Sequence, residues 1–113
     1  MAEVVIHART DAAQEGVAKL RAAGCSVTLY DPTRSQGALK DSDIRKAGVV
    51  VVDAEFATPA FRKRMAQFAT PTVVVGTRRV SWENCLRPVI AAMREQRAST
   101  AAHHRSDGSE RLL

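Results

Sequence analysis

Few side chains in this 113-residue chain could do covalent or metal chemistry. Its two cysteines, Cys25 and Cys85, stand too far apart for a zinc knuckle or a C-x-x-C redox pair. In a reducing compartment both are free thiols. Cys85 is the more interesting, because it lies near the start of the last helix. There the helix dipole favours a thiolate, and Arg87 is close by. No positioned histidine accompanies it: His7 lies on the first strand, and His103 and His104 lie near the end of the chain. A bystander core thiol is the stronger reading of Cys85. Adjacent His103 and His104, without further ligands, make no metal site. The phosphate-binding P-loop, G-x-G-x-x-G, G-x-S-x-G and H-E-x-x-H motifs are all missing. Composition and motifs therefore lean away from an enzyme and imply neither cofactor nor metal.

Charge is the next feature. The formal balance is +5, and it is uneven. Residues 1–59 carry seven Lys/Arg and eight Asp/Glu, whereas residues 60–97 carry eight and two. Arg62, Lys63, Arg64, Arg78 and Arg79 form a candidate basic face for a protein partner or a small anionic ligand. Charge runs more often simply solvate a helix. Nucleic acid is disfavoured: with one Trp, one Tyr and three Phe, no aromatic platform for bases is evident.

Apolar residues make up 45% of the chain, enough for an aliphatic core. No apolar run approaches the roughly 20 residues that span a bilayer. The first residues lack the basic start and apolar stretch of a signal peptide. The expectation is a cytoplasmic protein without membrane contact. Its oligomeric state is open.

Alternating elements must position these groups. Val4 to Ala8 reads as a strand. Thr10 and Asp11 offer a helix cap, with Gln14 completing a capping box, and Gly24 closes the helix. Val27 to Tyr30 is a second strand, broken by Asp31-Pro32-Thr33. A short helix spans Ser35 to Ala47, stopped by Gly48. The four valines from Val49 to Val52 suit a strand buried on both faces, as in parallel sheets. Thr58-Pro59 starts a helix whose core face is Phe61, Met65 and Phe68. Thr70-Pro71 ends it, and Thr72 to Val75 is a fourth strand. Gly76-Thr77 is a turn, and Arg78 to Ser81 a short return strand. A last helix begins close to residue 87 and buries Leu86, Val89, Ile90 and Met93. Residues 1–97 thus read as a single α/β domain with a mostly parallel sheet, and 98–113 as a disordered C-terminal tail. Ligand sites in such sheets lie at the carboxyl ends of strands, here the loops after Ala8, Tyr30, Asp53 and Val75.

From Val27 to residue 97, this order resembles the glutaredoxin branch of the thioredoxin fold. Thr70-Pro71-Thr72-Val73-Val74-Val75 is similar to that family's cis-proline and following strand, and Gly76 to Val80 to its hairpin. The first strand and helix resemble the N-terminal extension of thioredoxins. The resemblance implies a βαβαβαββα thioredoxin-like fold with a C-terminal antiparallel hairpin. It further implies a groove at Ser35, Gln36, Thr70, Pro71 and Trp82 for an extended peptide or glutathione. The family's two cysteines would fall at Ser35 and Ala38. A serine hydroxyl forms no mixed disulfide, so C-x-x-C oxidoreductase activity does not carry over.

Three functional expectations follow. The first is a redox-inactive glutaredoxin-like binding or regulatory module, using the cis-proline groove or the basic face. The second is a degenerate receiver-like signalling domain on a flavodoxin-like parallel sheet. Val49 to Asp53 resembles the strand ending in a phosphorylated Asp, yet the places that would hold Mg²⁺ after the first strand are Ala8 and Arg9. The third is a single-cysteine enzyme using Cys85. The pairing of Arg78 to Ser81 discriminates the first two: antiparallel pairing with residues 72–75 favours thioredoxin-like, and its absence favours receiver-like.

Overall fold

The computed structural model describes residues 3–34 and 38–95. Eight main elements alternate along the chain. They are β1 (Glu3–His7), α1 (Thr10–Ala22), β2 (Ser26–Tyr30), α2 (Asp41–Lys46), β3 (Val49–Asp53), α3 (Pro59–Met65), β4 (Thr72–Val75) and α4 (residues 86–95). Short 3₁₀ turns follow β3 at Ala54–Phe56 and precede α4 at Trp82–Asn84. The strands form one sheet in the order β2-β1-β3-β4, every pair parallel.

Valine dominates the sheet because β3 is covered on both faces. Val49, Val50, Val51 and Val52 are all fully buried. Val49 and Val51 pack with Val4, Ile6 and Val75 against α1 (Ala13, Val17, Leu20) and α4 (Val89, Met93). Val50 joins Val5 against α2 (Ile44), its flanking residues Leu39 and Ala47, and α3 (Met65), with Phe61 and Phe68 at the margin. Helices thus cover both faces, and the predicted α/β class with a parallel sheet holds.

The C-terminal antiparallel hairpin of the thioredoxin-like expectation is corrected. Residues 78–81 form no strand, and the sheet among the described residues has no antiparallel pair. The Val80 carbonyl instead accepts from the N–H groups of Gly76 (2.8 Å) and Thr77 (3.0 Å). This tight loop sends the chain away from β4 and onto the α1 face. The bond before Pro71 is trans, as are all described peptide bonds.

Three local readings also change. α2 is shorter than the predicted Ser35–Ala47; residues 35–37 lie outside the described residues. α3 ends at Met65 rather than reaching Phe68. At α1 the Asp11–Gln14 capping box does not form, and the cap comes from another loop, as described below. The expected tail at 98–113 lies outside the described residues.

Candidate functional site

A parallel sheet delivers every β→α loop to one end. Here His7 registers with Tyr30 and with Val52, and Asp53 with Val75. The loops at 8–10, 31–34, 53–56 and 76–81 therefore leave the sheet at a common level, where α/β folds place their ligands. Asp31, Arg9, Glu55 and Asp53 at this end are engaged with the chain itself, whereas Arg78 and Arg79 of the last loop are exposed.

Asp31 is the best example. It is buried, and its carboxylate accepts from the Thr10 N–H and hydroxyl (both 2.8 Å), from the Thr33 N–H (2.8 Å) and from the Thr33 hydroxyl. β2 thus supplies the cap of α1, whose own cap position, Arg9, offers no side-chain acceptor. The Thr33 hydroxyl first, then the Thr10 N–H, hold the Asp31 carboxyl far below the ordinary carboxylate range. The fixed negative charge occupies the positive end of the α1 dipole, a place an anionic ligand could otherwise take.

Across the β1–β3 junction, Arg9 and Glu55 form a bidentate pair. Arg9 Nη2 lies 2.7 Å from Glu55 Oε1, and Arg9 Nε lies 2.9 Å from Oε2. The Arg9 hydrogen bonds lower the Glu55 pKa. This pair bridges the loops where the strand order changes direction, the place where doubly wound sheets bind ligands.

Asp53, at the end of β3, takes its own Glu55 N–H on Oδ1 (2.9 Å) and the Trp82 indole N–H on Oδ2 (2.7 Å). Trp82 reaches it because the 76–80 loop turns back and Ser81 caps the next 3₁₀ turn, its hydroxyl accepting from Asn84 N–H at 3.2 Å. Asp53 is a strand-end cap and the acceptor for a buried indole.

His7 sits beside this end on the α3 face. Its ring stacks on Phe61 at 5.1 Å between centroids and meets Phe56 edge-on at 5.7 Å. Its Nδ1 is buried without a hydrogen-bond partner among the described residues. Burial first, and Arg64 second, lower its pKa. A neutral ring between aromatic neighbours is the packing residue that these surroundings favour.

Among the described residues, the groove positions implied by the thioredoxin resemblance do not come together. Ser35 and Gln36 lie outside the described residues, and Trp82 sits at the carboxyl end of the sheet beside Asp53. Thr70 and Pro71 lie at the opposite, amino end, because β4 runs parallel to β3 and the loop before it starts there. Thr70 is buried and its hydroxyl donates to the Ile44 carbonyl at 2.7 Å. The Pro71 carbonyl accepts from Val50 N–H at 2.9 Å. Trp82 is buried against α1 rather than walling a groove: a Cβ on Gly16 would fall 2.7 Å from its ring.

Cys85 is fully buried, with its sulfur 3.0 Å from where a Gly16 Cβ would stand. Burial raises its thiol pKa, the reverse of what a nucleophile needs. The helix-start position that made it a candidate is real, but α1 and Trp82 cover it. Cys25 is also buried and unpaired.

The basic residues divide by role. Arg64 is structural, donating to the Leu39 carbonyl (2.7 Å) and pairing with Asp41 (2.8 Å). Arg62 donates from Nε to the Ala57 carbonyl (3.1 Å), yet it stays exposed and lines a cleft of about 230 Å³ beside β4. Lys63, Arg78 and Arg79 are exposed. Sequence reasoning missed Asp31, Thr10, Thr33, Arg9 and Glu55 as a connected polar set. Only their types and strand-end positions hinted at it.

No described helix is long and apolar enough to cross a membrane. No protein-family model, curated protein or solved structure matches this chain.

Proposed function

We propose that this protein is a non-catalytic binding or regulatory module, receiver-like in the order of its parallel strands, that takes an acidic protein partner on its α3–β4 flank. The observation supporting the first half is the set of internal partners held by Asp31, Arg9, Glu55 and Asp53 at the carboxyl end of the sheet. Asp31, Arg9, Glu55 and Asp53 each direct hydrogen bonds to another part of the same chain. A phosphoryl-accepting site needs a carboxylate open to solvent and neighbouring acids to hold Mg²⁺. Here Asp53 carries the Trp82 indole, and the positions after β1 are Ala8 and the ion-paired Arg9.

The receiver-like reading is favoured over the glutaredoxin-like one by the parallel order β2-β1-β3-β4 and the unpaired course of residues 78–81. The basic flank supports the second half. Besides Arg64, which pairs with Asp41, residues 57–82 contain Arg62, Lys63, Arg78 and Arg79 and not one Asp or Glu. Such a patch attracts anionic partners and speeds their encounter.

The test has two arms. The protein is incubated with acetyl phosphate and Mg²⁺ and its mass measured; the expected result is no phosphoryl adduct, and an adduct on Asp53 overturns the non-catalytic reading. Amide shifts are then followed during titration with poly-glutamate at low salt. Shifts are expected around Arg62, Lys63, Arg78 and Arg79. Shifts confined to the loops after β1 and β2 would overturn the assignment of the flank.

A further inference from the structure

We infer that the outer edge of β4 is a strand-addition site for an extended acidic peptide segment of a partner protein, an inference that rests on the binding-module reading above. Among the described residues β4 ends the sheet, with β3 beside it. Its ladder register fixes which groups face outward. Val50 N–H donates to the Pro71 carbonyl, and Val50 stands opposite Thr72. In a parallel ladder this alternation turns the main-chain groups of Val73 toward β3 and those of Thr72 and Val74 away from it. No hydrogen bond among the described residues reaches the outward groups of Thr72 or Val74.

The other edge of the sheet is different. On β2 the alternation leaves the Val27 carbonyl facing out, and Arg21 reaches over to donate to it at 3.4 Å. An arginine laid along an edge is a familiar protection against unwanted pairing. β4 has none.

The same edge also carries a receptor for side chains. Thr72 and Val74, the residues with outward main-chain groups, line the cleft of about 230 Å³ together with Val52, Phe61, Arg62 and Met65. A peptide adding as a fifth strand would point alternate residues into this cleft, which is the specificity device of strand addition. The volume suits an aliphatic residue such as valine or leucine, with Val52, Phe61, Met65 and Val74 as apolar walls and Arg62 and Thr72 as polar ones.

Charge selects the occupant. Edge-to-edge pairing of two copies would bring together two basic flanks of the same sign, each carrying Arg62, Lys63, Arg78 and Arg79. Residues 57–82 hold no acid to relieve that repulsion. A strand of alternating acidic and apolar residues instead meets main-chain partners, an apolar cleft and a basic rim together.

The experiment uses the full chain and a fluorescein-labelled peptide, Glu-Val-Glu-Val-Glu-Val-Glu, read by anisotropy. Three comparisons are made: the Lys-Val peptide of the same pattern, the Glu-Val peptide N-methylated at alternate residues, and the Val74→Pro variant. Proline at an edge strand removes an outward N–H without touching the inward ladder. The Glu-Val peptide is expected to bind and to slow exchange of the Thr72 and Val74 amides. Each comparison is expected to weaken binding by about tenfold or more. The N-methylated peptide needs no change in the protein, so the test stands even if Val74→Pro fails to fold. Equal binding by the N-methylated peptide overturns strand addition while leaving the basic-flank reading intact. Absence of Glu-Val binding while poly-glutamate still shifts the flank does the same. A dimer in sedimentation, with Thr72 and Val74 amides protected in the protein alone, overturns it in favour of a second copy.

Discussion

The Trp82 indole N–H donates to Asp53 Oδ2 at 2.7 Å, tying the segment before α4 to the end of β3. The contact does two things. It closes the loop after β4 over the sheet, and it commits the one carboxylate at the end of the central strand. Trp82 is buried, so losing this partner would strand a polar N–H.

Because Trp82 is the sole tryptophan, its fluorescence reports this contact directly. Asp53→Ala should shift the emission and lower stability by about 1–3 kcal/mol, the range for an orphaned buried donor. Asp53→Asn, which keeps an acceptor oxygen, should lose less. Denaturant unfolding with emission spectra checks both; equal losses would show that the indole bond is not what Asp53 contributes.

Two glycines with nearly the same positive φ make an internal control. Gly24 has φ +90° and open space around its missing Cβ, whereas a Cβ on Gly76, with φ +86°, would fall 2.7 Å from Asp53 Oδ2. Gly24→Ala should cost about 1 kcal/mol, from backbone strain alone. Gly76→Ala should cost at least about 1 kcal/mol more, because overpacking adds to the same strain. Equal midpoints and slopes in urea for the two variants would refute the steric part.

Gly16 sets two effects in opposition. In α1 an alanine normally gains about 1 kcal/mol over glycine. Here its Cβ would stand 2.7 Å from the Trp82 ring and 3.3 Å from the Trp82 carbonyl, and overpacking costs about 1–3 kcal/mol. A large, rigid, buried ring cannot give way cheaply, so Gly16→Ala should be net destabilising by about 1 kcal/mol. A stabilised variant would mean that Trp82 is loosely held.

Acid sensitivity should come in two steps of known sign. The folded His7 pKa lies below its ordinary value of 6.5, so as pH falls through that region the unfolded chain takes the proton first. Stability therefore starts to drop below about pH 6.5. The folded Asp31 pKa lies far below its ordinary 3.8, so its contribution is intact above that value and is lost as the medium becomes more acidic than it. His7→Phe should flatten the first step while keeping the stack on Phe61, and Asp31→Asn should remove the second. Melting temperatures across pH 2–8 check the signs.

Thr70 illustrates how a motif can be legible and still be misread. Thr-Pro before a valine run correctly marks the helix-to-strand turn. Its chemistry, however, is a buried hydroxyl bonded to the Ile44 carbonyl at 2.7 Å. Ile44 O also accepts from Ala47 N–H at 3.3 Å, so Thr70→Val should cost only about 1 kcal/mol and Thr70→Ser less. Thermal melts of the two variants separate the hydroxyl from its methyl group.

The amino-acid sequence by itself determined the local elements and the two-sided burial of β3. Four consecutive valines, the Thr58-Pro59 helix start and the glycine after α1 act through propensity and periodicity within a few residues of themselves. Val49 to Val52 are buried, and the Thr58 hydroxyl does accept from Phe61 N–H at 3.2 Å. The tertiary structure alone decided the direction taken by residues 78–81, the separation of Thr70-Pro71 from the carboxyl end of the sheet, and the polar partners there. Asp31 with Thr10, Asp53 with Trp82, and Arg9 with Glu55 join residues 21, 29 and 46 positions apart. No periodic pattern links such pairs. They meet because parallel strands carry their ends to one level, and each polar group there needs a partner once water is excluded.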